Sequence, residues 1–429
     1  MTTIEELYKV FCSHPVITTD SRNIPNDSVF FAIRGPHFDG NDYAVEALEK
    51  GAAYAIVDKQ LNIHSQRLIR VKDTLIALQQ LANHHRKILG TNILALTGSN
   101  GKTTTKELCK SVLRKKYNAY ATSGNLNNHI GVPLSLLSLT EDTGIGIIEM
   151  GANHSGEIAA LCQIALPDYG LITNIGKAHL EGFGGIEGVA AAKGELFAHL
   201  VRNSKTIFVN TGNEYVSSVA PENYKNRVDY NNDNVYGELI ANDPYLKLKM
   251  RIFNEEIVVN TNLVGKYNIE NVVAAAVVGH FFNIPVNAIK EAIESYIPEN
   301  FRSQFIDTGR NKVIMDAYNA NPSSMKTAVE NFFELKADNK MLILGEMLEL
   351  GSSSEDEHKK IVTLLRGEKT GEVILVGDGF SQLITDKRFR FYSSADELLK
   401  NINLSEIHAK YILIKGSRGN RLEKLLPLL

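Results

Sequence analysis

Residues 93–106, ILALTGSNGKTTTK, decide how the rest of the chain is read. A short apolar run breaks into a glycine-bracketed loop, and the TTKELCKSVLRKKY that follows carries a helical pattern. Strand, glycine loop and helix in that order make a phosphate cradle. Loop N–H groups and the helix N-terminus face the anion, Lys102 adds a point charge, and Thr103 offers a hydroxyl to magnesium. The segment is an abbreviated form of the usual motif, which opens on a glycine where this chain has Leu96, so the loop begins only at Gly98. Its expected nucleotide contacts are Thr97, Gly98, Ser99, Asn100, Gly101, Lys102, Thr103 and Thr104.

Upstream of the loop, residues 41–58 (NDYAVEALEKGAAYAIVD) read as a helix stopped by Gly51 and a strand ended by Asp58. Residues 73–90 (DTLIALQQLANHHRKILG) read as a helix with Asp73 as N-cap and Gly90 as stop. A small α/β domain is therefore expected over residues 1–90. From 91 to 300, ILALT, GIGIIEM, YGLITNI and TIFVN alternate with helical patterns, which predicts a central P-loop-type domain with a mostly parallel sheet covered on both faces. Within it YLKLKMRI alternates strictly. Leu246, Leu248, Met250 and Ile252 share one face, Lys247, Lys249 and Arg251 the other, and pairing with EEIVVNT across a short turn follows. From 301 to 429 the strands KVIMDAY, KMLILGE, EVILVGD and YILIKGS predict a Rossmann-like, doubly wound C-terminal domain. They end in Asp316, Gly345, Gly377 and Lys415, so polar groups gather where such sheets bind ligands.

The bulk numbers agree with an α/β protein of more than one domain. A chain of 429 residues with 44% apolar content exceeds a single core. A formal charge of -3 argues against a nucleic-acid partner, and the basic strand face reads as a solvated one. Cys12, Cys109 and Cys162 form no metal-binding spacing and are expected as ordinary buried thiols in a reducing compartment. Without an N-terminal apolar segment or a long apolar run, a cytoplasmic protein with no membrane insertion is expected.

Several other residues could work with the loop. Glu149 ends the strand GIGIIEM, where its carboxylate could reach the same magnesium as Thr103. His179, in GKAHLEGFGG, is equally well read as a ligand or as structural. Lys193, in VAAAKGELF, has a snorkelling surface lysine as its plain reading. Asn125, Asn127 and Asn128 suit a sugar or peptide ligand, or a tight turn. Asn268 and Asn271 are three apart on one helix face, near enough to share a ligand. In DAYNANPSSM, Asp316 closes a strand, and Asn319 and Asn321 precede the Pro322 that opens a helix.

Taken in order, TGSNGKTTTKE, GNLNNHIGVPLSLL, EMGANHSGEIAAL, AHLEGFGGIEGVAAAKGE, DAYNANPSSM, LGEMLELG and KGSRGNRLE resemble the Mur ligases, ATP-dependent amide-bond enzymes of the bacterial peptidoglycan stem. The YNANP and KGSRGNR pair is similar to the branch that joins D-alanyl-D-alanine to UDP-N-acetylmuramoyl-tripeptide. The resemblance implies those two partners, ATP, two Mg2+ ions, an acyl-phosphate intermediate and a monomer. It implies that Lys102 binds phosphate, Thr103 and Glu149 one magnesium, and His179 the second. Lys193 would be carbamylated and become an anionic metal ligand, and Lys102, His179 and Lys193 would serve catalysis. Asn268 and Asn271 match an adenine-site pattern, with Tyr267 where relatives often carry histidine. Arg302 would reach ATP and Asp316 the ribose. Ser21, Arg22, Gly35 and Asp39 would hold the UDP end. Asn125, Asn127, Asn128, Asn319, Asn321, Lys415, Ser417 and Arg418 would bind the remaining substrate groups. Since the site draws on two domains, a hinge near residue 300 is expected. The rivals are a folylpolyglutamate synthase, which the NLNN and YNANP motifs disfavour, and a P-loop ATPase switch.

Overall fold

A computed structural model describes residues 2–63, 65–178, 180–299, 301–367, 371–383 and 388–429. Near the N-terminus four parallel strands run in the order Ile17–Thr18, Val29–Phe31, Tyr54–Val57, Leu68–Arg70. The helix Thr74–Leu89 has the ends its sequence specifies. Asp73 accepts the Ile76 N–H at 2.8 Å, and Gly90 turns left-handed at φ 63° while its N–H reaches the Arg86 carbonyl. The apolar face Ala77, Leu78, Leu81 and Ala82 packs in the same cluster as Ile93 and Ala95, so this helix shares a core with the next sheet.

That next sheet has six parallel strands in the order Arg227–Tyr230, Thr206–Asn210, Tyr169–Ile172, Asn92–Thr97, Ile145–Glu149, Ala119–Ala121. Ile93 and Ala95 fill the core on one face, Leu94 and Leu96 that on the other, which is why ILAL is apolar without alternation. The helices Lys102–Leu113 and Asn268–Phe281 pack together over the Leu94 and Leu96 face. The chain leaves Asn92–Thr97 toward neighbours on both sides. The loop after it therefore lies at the switch point, where open α/β sheets form their ligand crevice.

Beside this sheet stands an antiparallel one, Val235–Asn242, Tyr245–Ile252 and Glu255–Val264. Leu246, Leu248, Met250 and Ile252 are buried as their alternation requires, while Lys247, Lys249 and Arg251 reach solvent or its margin. Sequence reading missed the first of its strands, because Leu239 and Ile240 face solvent together and leave no alternation to detect.

The C-terminal sheet runs Gln304–Asp307, Lys312–Asp316, Tyr411–Lys415, Lys340–Gly345, Glu372–Val376, Phe389–Tyr392, and only the first strand is antiparallel. Leu342 and Leu344 fill one core, Met341 and Ile343 the other. Both edge strands went unread in the sequence. Among the cysteines Cys109 and Cys162 are buried, but Cys12 is exposed, which corrects the expectation for it. Among the described residues no helix is long and apolar enough to cross a membrane.

Candidate functional site

The phosphate loop follows Thr97 directly. Gly98 (φ 145°) and Gly101 (φ 76°) give it its shape, and at neither is there room for a side chain. A Cβ at Gly98 would meet Thr173 Oγ1 at 2.1 Å, and one at Gly101 would meet Asn271 Oδ1 at 2.3 Å. The loop is pinned from the neighbouring strand end. Thr173 Oγ1 donates to the Asn100 carbonyl at 2.6 Å, Asn174 Oδ1 accepts the Asn100 N–H at 3.0 Å, and Ser99 Oγ donates to the Gly176 carbonyl at 3.0 Å. Lys102 Nζ lies over its own loop, 2.6 Å from the Gly98 carbonyl and 3.2 Å from that of Ser99. Burial brings its ammonium down to about 8, with Arg302 pushing the same way and Glu149 resisting. The Thr97 hydroxyl is buried without a partner.

Ladder register sets Leu96 opposite Glu149, so two strands deliver the loop and a carboxylate to one place. Thr103 Oγ1 donates to Glu149 Oε2 at 2.9 Å and Asn127 Nδ2 donates to Oε1 at 2.9 Å, with Glu149 only 1% exposed. A buried hydroxyl and carboxylate in contact at a helix N-terminus are hard oxygen donors of the kind magnesium takes, so this pair fits one Mg2+. Lys193 is 1% exposed, which excludes the snorkelling reading. Its Nζ donates to the Ala152 carbonyl at 3.0 Å and stands 5.2 Å from the Phe183 ring centroid. Burial first, then the charge of Lys102, brings it down to about 7 against the pull of Glu157 and Glu195. As an ammonium it is no metal ligand, whereas its carbamate would be one. His179 lies outside the described residues. Among the described residues no group of three or more His, Cys, Asp or Glu side chains could hold a metal.

A cleft of about 1230 Å³ joins this region to the C-terminal sheet. Lys102, Asn125, Asn127, Asn128 and Glu149 line one side, and Arg302, Asp316, Asn319, Asn321, Lys415 and Arg418 the other. Asn321 Nδ2 donates to Asn100 Oδ1 at 2.8 Å, and the Lys177 N–H donates to Ser323 Oγ at 3.0 Å, so the C-terminal domain rests on the loop itself. Lys415 is buried and its Nζ lies 2.6 Å from Asp316 Oδ2, which makes these two residues an ion pair at the cleft wall.

Some of the expected contact residues also bond within the chain or lie outside this cleft. Asn128 Oδ1 accepts the N–H groups of Ile130 and Gly131, the tight-turn alternative, although the residue also lines the cleft. Asn271 Nδ2 donates to Asn268 Oδ1 at 2.8 Å, so the two amides bond to each other beside the cleft. Ser417 is buried and accepts the Leu348 N–H, away from the cleft lining. Ser21, Arg22, Gly35 and Asp39 lie outside the cleft. Arg22 is clamped on Asp20 at 2.8 Å through both Nε and Nη2, and Asp39 caps the turn Gly40–Tyr43 through Asn41 and pairs with Lys59. Sequence reading passed over Tyr318, whose ring lies under the Arg302 guanidinium. Its only signal was its place between Asp316 and Asn319.

Residues 15–86 match the family description "Mur ligase family, catalytic domain", residues 96–279 "Mur ligase middle domain", and residues 301–418 "Mur ligase, glutamate ligase domain". Among curated proteins, the UDP-N-acetylmuramoyl-tripeptide--D-alanyl-D-alanine ligase of Bacillus subtilis is 33% identical over 96% of this chain and 92% of its own length. The ligase of the same name from Escherichia coli is 32% identical over 96% and 93%. A crystal structure of MurF from Acinetobacter baumannii superimposes with a TM-score of 0.87 at 28% identity, covering 99% of this chain and 98% of that one. Kinship over nearly the whole length, with the loop, the carboxylate and the C-terminal cleft wall all in place, means that the chain belongs to the Mur ligase family.

Proposed function

We propose that this ligase joins D-alanyl-D-alanine to UDP-N-acetylmuramoyl-tripeptide with ATP, through an acyl phosphate. The observation that carries the reading is the convergence of the phosphate loop, the Asn125–Asn128 turn and the Asp316, Asn321, Lys415 and Arg418 wall on one cleft, in a chain akin to ligases of that name. The tripeptide carboxylate attacks the γ-phosphate and ADP leaves; the dipeptide amine then attacks the carbonyl of the acyl phosphate, loses a proton, and phosphate leaves. Lys102 lowers the repulsion between carboxylate and triphosphate, and the loop amides hold the phosphates in line. Magnesium, held by Thr103 and Glu149 and, for a second ion, by carbamylated Lys193 with His179, would supply further charge neutralisation. Asp316, whose Oδ2 lies 2.6 Å from Lys415 Nζ, is placed to accept from a ribose hydroxyl.

The NLNN turn speaks against a folate substrate, since Asn127 is committed to Glu149 and its neighbours to a polar cleft. Phosphate release measured with ATP and each candidate acceptor tests the reading. Release is expected only when both the UDP-tripeptide and D-alanyl-D-alanine are present. Turnover of ATP alone would favour a nucleotide switch, and turnover with a folate and glutamate would favour the folylpolyglutamate reading.

A further inference from the structure

We propose that Tyr318 is a positioning residue, an aromatic platform that aims Arg302, with Arg418 beside it, at the terminal phosphate of the nucleotide. The inference rests on the ligase reading and adds to it a residue that reaches the nucleotide only through the two arginines. Arg302 Cζ lies 3.8 Å from the Tyr318 ring centroid and Arg418 Cζ 5.4 Å from the same centroid. All three residues line the cleft. The two arginines come from opposite ends of the C-terminal domain, one before its first strand and one after its last parallel strand.

The backbone around Arg302 is built to hold that pose. Phe301 (φ 56°) and Ser303 (φ 49°) both take the left-handed conformation, which non-glycine residues seldom adopt without a compensating constraint. Ser303 supplies the constraint. Its N–H donates to Asp316 Oδ1 at 3.3 Å, and its hydroxyl shares a hydrogen bond with the Tyr267 hydroxyl at 2.6 Å. Arg302 Nε is buried with no hydrogen-bond partner. A carboxylate under this guanidinium would neutralise it. An aromatic face instead holds a guanidinium through its quadrupole and leaves the positive charge for an incoming anion. Two guanidiniums gathered on one ring repel each other, a conflict that an anion bound between them relieves. The direction toward the phosphate end comes from Asn321, three residues beyond Tyr318, which bonds to Asn100 of the loop.

The test compares binding of ADP with that of a non-hydrolysable ATP analogue, by calorimetry on the full chain, since the ratio of the two reads the terminal phosphate. Tyr318→Leu, which removes the π face, is expected to lower that preference roughly fivefold to tenfold. Tyr318→Phe keeps the face and should retain most of the preference. In an Arg302→Ala background Tyr318→Leu should add little further loss. An unchanged ratio in Tyr318→Leu, a loss in Tyr318→Phe equal to that in Tyr318→Leu, or additive losses with Arg302→Ala would each overturn the platform. A wild-type chain that binds neither nucleotide would overturn the ligase reading and the platform with it, whereas normal wild-type binding with an unmoved ratio overturns the platform alone.

Discussion

Gly101→Ala isolates what the abbreviated loop demands of its sequence. At φ 76° Gly101 is left-handed, a conformation that adds about 1–2 kcal/mol of strain for a residue with a Cβ. The new Cβ would stand 2.3 Å from Asn271 Oδ1, closer than any real contact, so the amide has to turn away. That oxygen accepts the Thr105 hydroxyl at 3.0 Å, while Asn271 Nδ2 donates to Asn268 Oδ1 and Asn268 Nδ2 to the Val264 carbonyl, each at 2.8 Å. Thr105 is fully buried, so losing its acceptor leaves an unpaired hydroxyl worth about 1–3 kcal/mol. The two terms together predict a loss of about 2–5 kcal/mol from the domain around the loop. The chain has no tryptophan, so urea unfolding is best followed by circular dichroism, with affinity for an ATP analogue measured in parallel. Gly101→Ala combined with Asn271→Gly removes the clashing oxygen and keeps the backbone strain, and should destabilise by less than the sum of the two single variants. A Gly101→Ala protein within about 0.5 kcal/mol of wild type and with unchanged nucleotide affinity would refute the reasoning, since it would mean that the loop does not hold this conformation.

Three further outcomes are expected. Asn321→Ala removes both the cap on helix Pro322–Glu334 and the bond to Asn100, so it should destabilise by about 1 kcal/mol and raise the KM for ATP; Asn321→Ser should restore stability but not the KM, and an unmoved KM in both would remove the bond's role. Burial would raise the Asp39 carboxyl, but Lys59 and Asn41 outweigh it and hold the group at about 2, below its ordinary 3.8. Its stabilising contribution is therefore complete above pH 3.8 and lost as pH falls through about 2, so urea midpoints of wild type and Asp39→Asn should differ at pH 6 and converge in acid; a pH-independent gap would contradict the assignment. Lys193→Ala should lose roughly 10–100-fold in activity and recover part of it with added formate or acetate standing in for a carbamate, and a failure of rescue across a concentration series would argue against carbamylation.

What the sequence revealed follows from how local each determinant is. The strands buried on both faces announce themselves as unbroken apolar runs, and the helix Thr74–Leu89 carries its own boundaries in Asp73 and Gly90. The Thr103 and Glu149 contact was legible because Glu149 ends a strand, Thr103 opens the helix that follows the loop after the neighbouring parallel strand, and such strands bring their ends together. Asp39 and Arg22 are harder to read. Polar residues in a turn can face a ligand or satisfy a partner two residues away, and the two uses look alike in one sequence. The strand Val235–Asn242 stayed hidden because an edge that shows Leu239 and Ile240 to solvent has no periodic signature.

The pose of Arg302 lies further still from anything residue types encode. A glycine advertises a left-handed backbone, but Phe301 and Ser303, which both take that conformation, do not, and Asp316 and Tyr267 hold Ser303 from two other elements. Asp316 is in turn fixed by Lys415, on a strand 99 residues away. Asp316, the lysine of the last strand and Arg302 are thus one mechanical unit. A substitution at Lys415 should therefore disturb Asp316 first and then, through Ser303, the aim of Arg302, without touching the loop that Asn321 anchors. Lys415 lines the cleft, and its 2% exposure and its bond to Asp316 also make it a support on which that side of the cleft is assembled.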